Sequence, residues 1–176
     1  MKRVCVYCGS RDGDDPAFAA AAEKIGAGIA NRGMGLVYGA GDVGLMGRVA
    51  TAAADAGGHV LGVIPTHLFE REIGKKDLSE LIVVDTMHER KMIMFNRSDA
   101  FVALPGGPGT LDELIELLTW RQLGLHDRPA HLLNLNGYWD PLIALLQTTA
   151  DRGFADQSFL GFLTVHKTAE ALVEAL

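Results

Sequence analysis

The sequence predicts an α/β fold in which a parallel sheet of short strands is covered by helices on both faces. Three observations carry that expectation. Short apolar runs at 3–8, 35–38 and 100–104 are bounded by glycine or polar turn signals, the mark of buried strands. Between such runs lie segments with helical spacing: Leu111, Leu114, Ile115 and Leu118 are apolar, while Asp112, Glu113, Glu116 and Thr119 are polar. The two kinds of segment alternate along the chain, as they must when each parallel strand is reached through a helical crossover.

Taken in order, the first strand covers 3–8 and ends at Gly9-Ser10. Asp14-Asp15-Pro16 places a proline at a helix start, and an alanine-rich helix extends to about Asn31-Arg32-Gly33. Residues 35–38 form a second strand. The turn Gly39-Ala40-Gly41-Asp42-Val43-Gly44 follows, then a helix from Met46 to Ala56 that Gly57-Gly58 stops. A third strand, 59–64, is broken by Pro65, and 66–79 reads as a polar excursion. A short strand at 81–84 leads to a helix over 87–97, expected to turn Met92 and Phe95 inward. The strand at 100–104 and its helix end near Gly124. Strand 130–135, helix 141–152, strand 162–165 and a terminal helix complete the chain. No repeat or linker interrupts this order, so one Rossmann-like, doubly wound domain over 1–176 is expected. Its site should lie beyond the carboxyl ends of the strands, near the point where strand order reverses.

At 176 residues, with 48% apolar residues and 21 glycines, the chain is long enough to bury a real core. A formal net charge of −6, with no cationic run beyond Lys75-Lys76 and Arg90-Lys91, argues against a nucleic-acid surface. No apolar stretch approaches a membrane span. The opening residues are too quickly broken for a signal peptide, which makes the cytoplasm the expected location. The two cysteines, Cys5 and Cys8, are spaced C-x-x-C but fall in a strand, where residues three apart face opposite ways. No second Cys pair completes a zinc site, and the six histidines are scattered without ligand spacing. Buried structural thiols and no metal are expected.

Two glycine turns invite a ligand. Gly39 to Gly44 matches G-x-G-x-x-G formally, but a dinucleotide site also wants an acidic residue at the end of the next strand. That strand ends Val63-Ile64-Pro65. A turn that needs glycines for tight helix–strand packing explains the motif as well as a ligand contact does. The turn Pro105-Gly106-Gly107-Pro108-Gly109-Thr110 lacks the Gly-Lys-Ser/Thr of a triphosphate-binding loop. It does join a buried strand to a helix, and a helix N-terminus with unpaired N–H groups is a seat for an anion such as phosphate. Glu113 is expected within the first turn of that helix. Arg90 and Lys91 open another helix after a strand, where cations oppose the helix dipole unless an anion compensates them.

These residues resemble a known family. Pro105-Gly106-Gly107-Pro108-Gly109-Thr110-Leu111-Asp112-Glu113 is similar to the PGGxGTxxE motif of the LOG ("Lonely Guy") family of cytokinin riboside 5′-monophosphate phosphoribohydrolases, often mislabelled lysine decarboxylases. The resemblance covers nearly the whole chain, through Cys5 to Ser10, Val37 to Gly41, Gly44 to Gly47, Met87 to Lys91 and Trp120 to His126. It departs at Ala40, where the family usually has a third consecutive glycine, and Pro108 sits at the family's variable position.

The resemblance implies hydrolysis of the N-glycosidic bond of AMP and N6-modified AMP, giving free base and ribose 5-phosphate, with no cofactor. It implies Arg90 and Glu113 as the catalytic pair. The substrate contacts it implies are Glu72, Arg90, Lys91, Gly107, Pro108, Gly109, Thr110, Leu111, Asp112, Glu113 and Thr119. It also implies a homodimer with its sites near the interface, whereas lysine decarboxylation would call for a Schiff-base lysine. Physically, an oxocarbenium-like transition state would be stabilised by an ionised carboxylate. The helix N-terminus and Arg90 are both expected to keep Glu113 ionised. The competing readings are a non-catalytic nucleotide sensor and an NAD-linked oxidoreductase.

Overall fold

The computed structural model describes residues 1–69 and 78–176. Seven strands form one sheet, in the order β4-β3-β2-β1-β5-β6-β7. They are β1 (Arg3–Tyr7), β2 (Gly35–Tyr38), β3 (Val60–Pro65), β4 (Glu80–Val84), β5 (Ala100–Ala103), β6 (Ala130–Leu133) and β7 (Leu163–His166). Every pairing is parallel. The helices are α1 (Pro16–Asn31), α2 (Gly44–Asp55), α3 (Thr66–Phe69), α4 (Met87–Asn96), α5 (Pro108–Gln122), α6 (Asp140–Asp151) and α7 (Ala169–Ala175). The expected α/β architecture is therefore observed. The stretch read as a wholly polar excursion opens with the single turn α3, and Pro65 closes β3 rather than lying outside it.

Strand alternation divides the core. Val4, Val6, Leu36, Tyr38, Val60 and Ile64 point to one face and meet α1, α2 and α7. Cys5, Tyr7, Val37, Leu61, Val63 and Phe101 point to the other and meet Met94 of α4 and Leu117 of α5. Cys5 and Cys8 fall in different clusters, both free and buried, as a strand requires. Burial pushes both thiols far above their ordinary range, so neither is a thiolate at neutral pH. One expected inward residue is misplaced. Phe95 packs against the second cluster, but Met92 is 47% exposed and Met94 is the methionine that is buried.

The order reverses between β1 and β5. The chain leaves β1 toward α1 on one side of the sheet and leaves β5 toward α5 on the other, so the two loops part and open a crevice. Hydrogen bonds stitch its floor: Gly9 N donates to the Pro105 carbonyl at 3.0 Å and Leu104 N donates to the Tyr7 carbonyl at 2.9 Å.

Candidate active site

A cavity of about 260 Å³ occupies this crevice. Its walls bring together Arg90, Glu113, Asp112 and the run Gly107 to Thr110, with Cys8, Gly39, Met46 and Met87 around them. A second cavity of about 490 Å³ lies across the Gly106–Pro108 turn against Phe18, Leu45 and Tyr138. It is larger but is lined by neither Arg90 nor Glu113.

The start of α5 carries no side-chain cap. Gly107 is the N-cap of α5, in extended conformation and with no side chain to accept from the helix. Pro108 has no N–H to satisfy, and its fixed φ suits the first helical position. The N–H groups of Gly109 and Thr110 fall in the first turn, where no intrahelical carbonyl can accept them. By contrast, α4 is closed by a complete capping box. Thr86 Oγ1 accepts from Glu89 N at 3.1 Å, and Glu89 Oε2 accepts from the N–H of Thr86 at 2.9 Å and of Asp85 at 3.0 Å. Those donors hold the Glu89 carboxyl below its usual range.

That cap fixes the first turn of α4, and Arg90 with it. Arg90 is only 8% exposed. Its Nε donates to the Val63 carbonyl at 3.1 Å and its Nη2 to the Gly39 carbonyl at 2.9 Å. Two strand ends, β2 and β3, thus grip the guanidinium through backbone oxygens. No carboxylate among the described residues lies within 4.0 Å of it. A buried cation held by neutral carbonyls, with N–H groups left over at the cavity wall, is built to receive an anion.

Glu113 is half-buried and lies on the second turn of α5 rather than the expected first, because the helix already begins at Pro108. Its carboxyl is raised from an ordinary 4.5 to about 7. Burial is the largest cause. Arg90 pulls the value down, Asp112 pushes it up, Lys91 pulls it down and Glu116 pushes it up. The expectation that Glu113 is held ionised is corrected here: loss of water outweighs the pull of the Arg90 guanidinium. A carboxyl that titrates near neutrality can take up or release a proton at working pH.

The remaining expected contacts divide. Lys91 turns away from Arg90, and its Nζ bridges Asp112 Oδ2 at 3.0 Å and Glu116 Oε2 at 3.2 Å. Burial works against its charge, but the two carboxylates outweigh that and hold its pKa above the ordinary value. It ties α4 to α5 at the cavity rim. Leu111 is half-buried and packs beside Leu114 and Leu118. Thr119 is exposed, and its hydroxyl donates to the Ile115 carbonyl at 2.8 Å. Neither lines the cavity. Glu72 lies outside the described residues. Cys8 lines the cavity without having been expected as a site residue, beside Ser10 and Gly39 from two strand-end turns that the sequence offered as candidates. Their signal was position alone, each at or just past the end of a strand.

Comparison with known proteins bears on this site. A family model described as "Possible lysine decarboxylase" matches residues 46–176. A probable cytokinin riboside 5′-monophosphate phosphoribohydrolase of Oryza sativa subsp. japonica is 47% identical over 174 residues, covering 99% of this chain and 78% of that one. A cytokinin riboside 5′-monophosphate phosphoribohydrolase of Arabidopsis thaliana is 45% identical, covering 100% and 77%. The chain belongs to the LOG family. Among solved structures, a molybdenum cofactor binding protein from Rippkaea orientalis superposes with a TM-score of 0.75. It is 23% identical, covers 99% of this chain and 95% of its own, and shares the fold. Two alternative readings lose ground within this LOG-family site. Among the described residues no lysine lines the cavity, so the decarboxylase label finds no Schiff-base partner there. The Gly39–Gly44 turn is spent on internal packing: the Gly39 carbonyl holds Arg90, and Gly44 takes a left-handed φ of 63° against the Ser10–Arg11 backbone.

Proposed function

We propose that this chain hydrolyses the N-glycosidic bond of AMP and of N6-modified AMP. Water adds to C1′, the C1′–N9 bond breaks with its electron pair going to the base, and a proton goes to the purine. The products are free base and ribose 5-phosphate. The observation that carries this reading is a buried Arg90 with no carboxylate partner among the described residues, facing the same cavity as Glu113 and the uncapped start of α5. The relatives' activity, at 47% identity, supports it.

In this reading Gly107, Pro108, Gly109 and Thr110 seat the phosphate at the positive end of α5, and that remote binding energy positions the sugar. Glu113 faces C1′. Its ionised form stabilises the oxocarbenium-like charge and accepts a proton from the attacking water. Arg90 completes the anion site and lowers the pKa of Glu113, enlarging the fraction that is ionised. Asp112 and Lys91 shape the rim. Glu72 is retained as a substrate contact on the resemblance.

The working unit in this reading is a homodimer in the cytoplasm. Ile115 and Thr119 of α5 and its C-cap Leu123 lie at successive spacings of four residues on one side of the helix. Leu123, Leu125 and Met92 are 67%, 66% and 47% exposed. A second copy covering that apolar face buries Thr119 and explains its distance from the cavity of its own chain.

The test is chromatography of the purified protein incubated with AMP and, separately, with isopentenyladenosine monophosphate. Release of free base from either supports the phosphoribohydrolase, and the ratio of kcat/KM values measures preference. Saturable AMP binding with no base released refutes it in favour of a sensor.

A further inference from the structure

The Gly39 backbone does not need a glycine for its own conformation: among the described residues, seven glycines have positive φ and Gly39 is not one of them. What it needs is space. A Cβ built there would overlap Arg90 Nη2, lie 3.0 Å from Arg90 Cζ and 3.3 Å from Met46 Sδ, with no backbone atom among its nearest neighbours. The atom in the way is therefore the end of the guanidinium that the Gly39 carbonyl itself holds. We infer that Gly39 is a positioning residue for Arg90, its missing side chain forming the slot in which the guanidinium lies flat between the ends of β2 and β3.

The inference rests on the proposed catalytic use of Arg90. Any side chain at 39 evicts the guanidinium toward the cavity. It then loses the Gly39 and Val63 carbonyls and occupies space meant for substrate. The backbone at 39 remains unstrained, so the damage passes chiefly through Arg90, with a smaller adjustment of the Met46 thioether.

A melting and kinetic cycle over Gly39→Ala, Arg90→Ala and the double variant tests this. Gly39→Ala should lower the thermal midpoint by about 5 °C, since a chain of this size shifts a few degrees per kcal/mol. It should cut kcat/KM about 100-fold through misplacement. The acid limb of its pH profile should also move to lower pH, because the evicted guanidinium enters the cavity that Glu113 lines. In the Arg90→Ala background the same Gly39→Ala change should move the midpoint by no more than about 1 °C, the signature of one shared contact. An equal drop in both backgrounds overturns the inference. Should Gly39→Ala fail to fold, a double variant that folds supports it and one that does not refutes it. Full hydrolysis by Arg90→Ala would instead refute the catalytic assignment of Arg90, while the melting cycle still judges the Gly39 contact on its own.

Discussion

Replacing Glu113 by Gln should make the protein more stable and less active, and the stability gain should depend on pH in a defined way. Glu113 titrates at about 7 in the folded chain against an ordinary 4.5. Between those values the folded state binds more protons than the unfolded state, so stability falls as pH rises through the window. Each pH unit is worth about 1.4 kcal/mol. The full span is then about 3 kcal/mol, reduced to about 2 kcal/mol because solvent reaches this half-buried group through the cavity. Gln keeps the shape and carries no charge to bury. Below pH 4.5 the two proteins should unfold at nearly the same urea concentration; above pH 7 the Gln variant should lead by the full amount. Trp120 and Trp139 report unfolding by fluorescence, and equal slopes against urea would show that the denatured states match. Base release by the variant should be nearly lost throughout. A stability difference that is the same at pH 4.5 and pH 8 would refute the burial argument. A fully active variant would refute the mechanism.

Other outcomes follow from the same geometry. Because hydrolysis uses ionised Glu113, kcat/KM for AMP should fall about tenfold per pH unit below about pH 7, and a profile flat to pH 5 would exclude that role. Thr86→Ala removes the acceptor for Glu89 N and should cost about 1 kcal/mol in urea unfolding, with a matching loss of α4 helix protection by hydrogen exchange. Ala40 holds a left-handed φ of 60° while fully buried. In Ala40→Gly, relief of about 1–2 kcal/mol of strain is offset by chain entropy and a lost methyl contact, so stability should stay within about 1 kcal/mol. Ala40→Val, β-branched at that φ, should cost more than about 2 kcal/mol, and a Val variant as stable as the parent would refute the strain.

The strands and helices were legible because period and punctuation agree nearly everywhere: 100–104 is apolar, bounded and followed by a helix with one greasy face. What local pattern does not carry is strand order. That β1 and β5 are neighbours, and so that Gly9 meets Pro105, is decided by packing across a hundred residues of chain. In α4, the run Met92-Ile93-Met94-Phe95 is apolar on every side, so periodicity offered no way to choose Met94 over Met92 as the buried one. Arg90 and Glu113 could be found because each lies near the start of a helix that follows a strand. The protonation of Glu113 could not, since its main cause is burial by segments distant in sequence. Gly39 was legible as a turn residue only; a side chain that is absent leaves no trace of what occupies its place.

Arg90 is held by main-chain oxygens of Gly39 and Val63, groups that every residue type supplies. The side chains beside these grips, Tyr38 and Ile64, can therefore drift among shapes that fill the core without moving the cation. Of the cavity's other walls Leu68 has the same freedom, whereas Met87 Sδ accepts from Arg90 Nη1 at 3.9 Å. Substrate preference can thus be remodelled around a charge whose position is tied to the sheet, and Gly39 is the one place along that grip where exchange of a side chain reaches it directly.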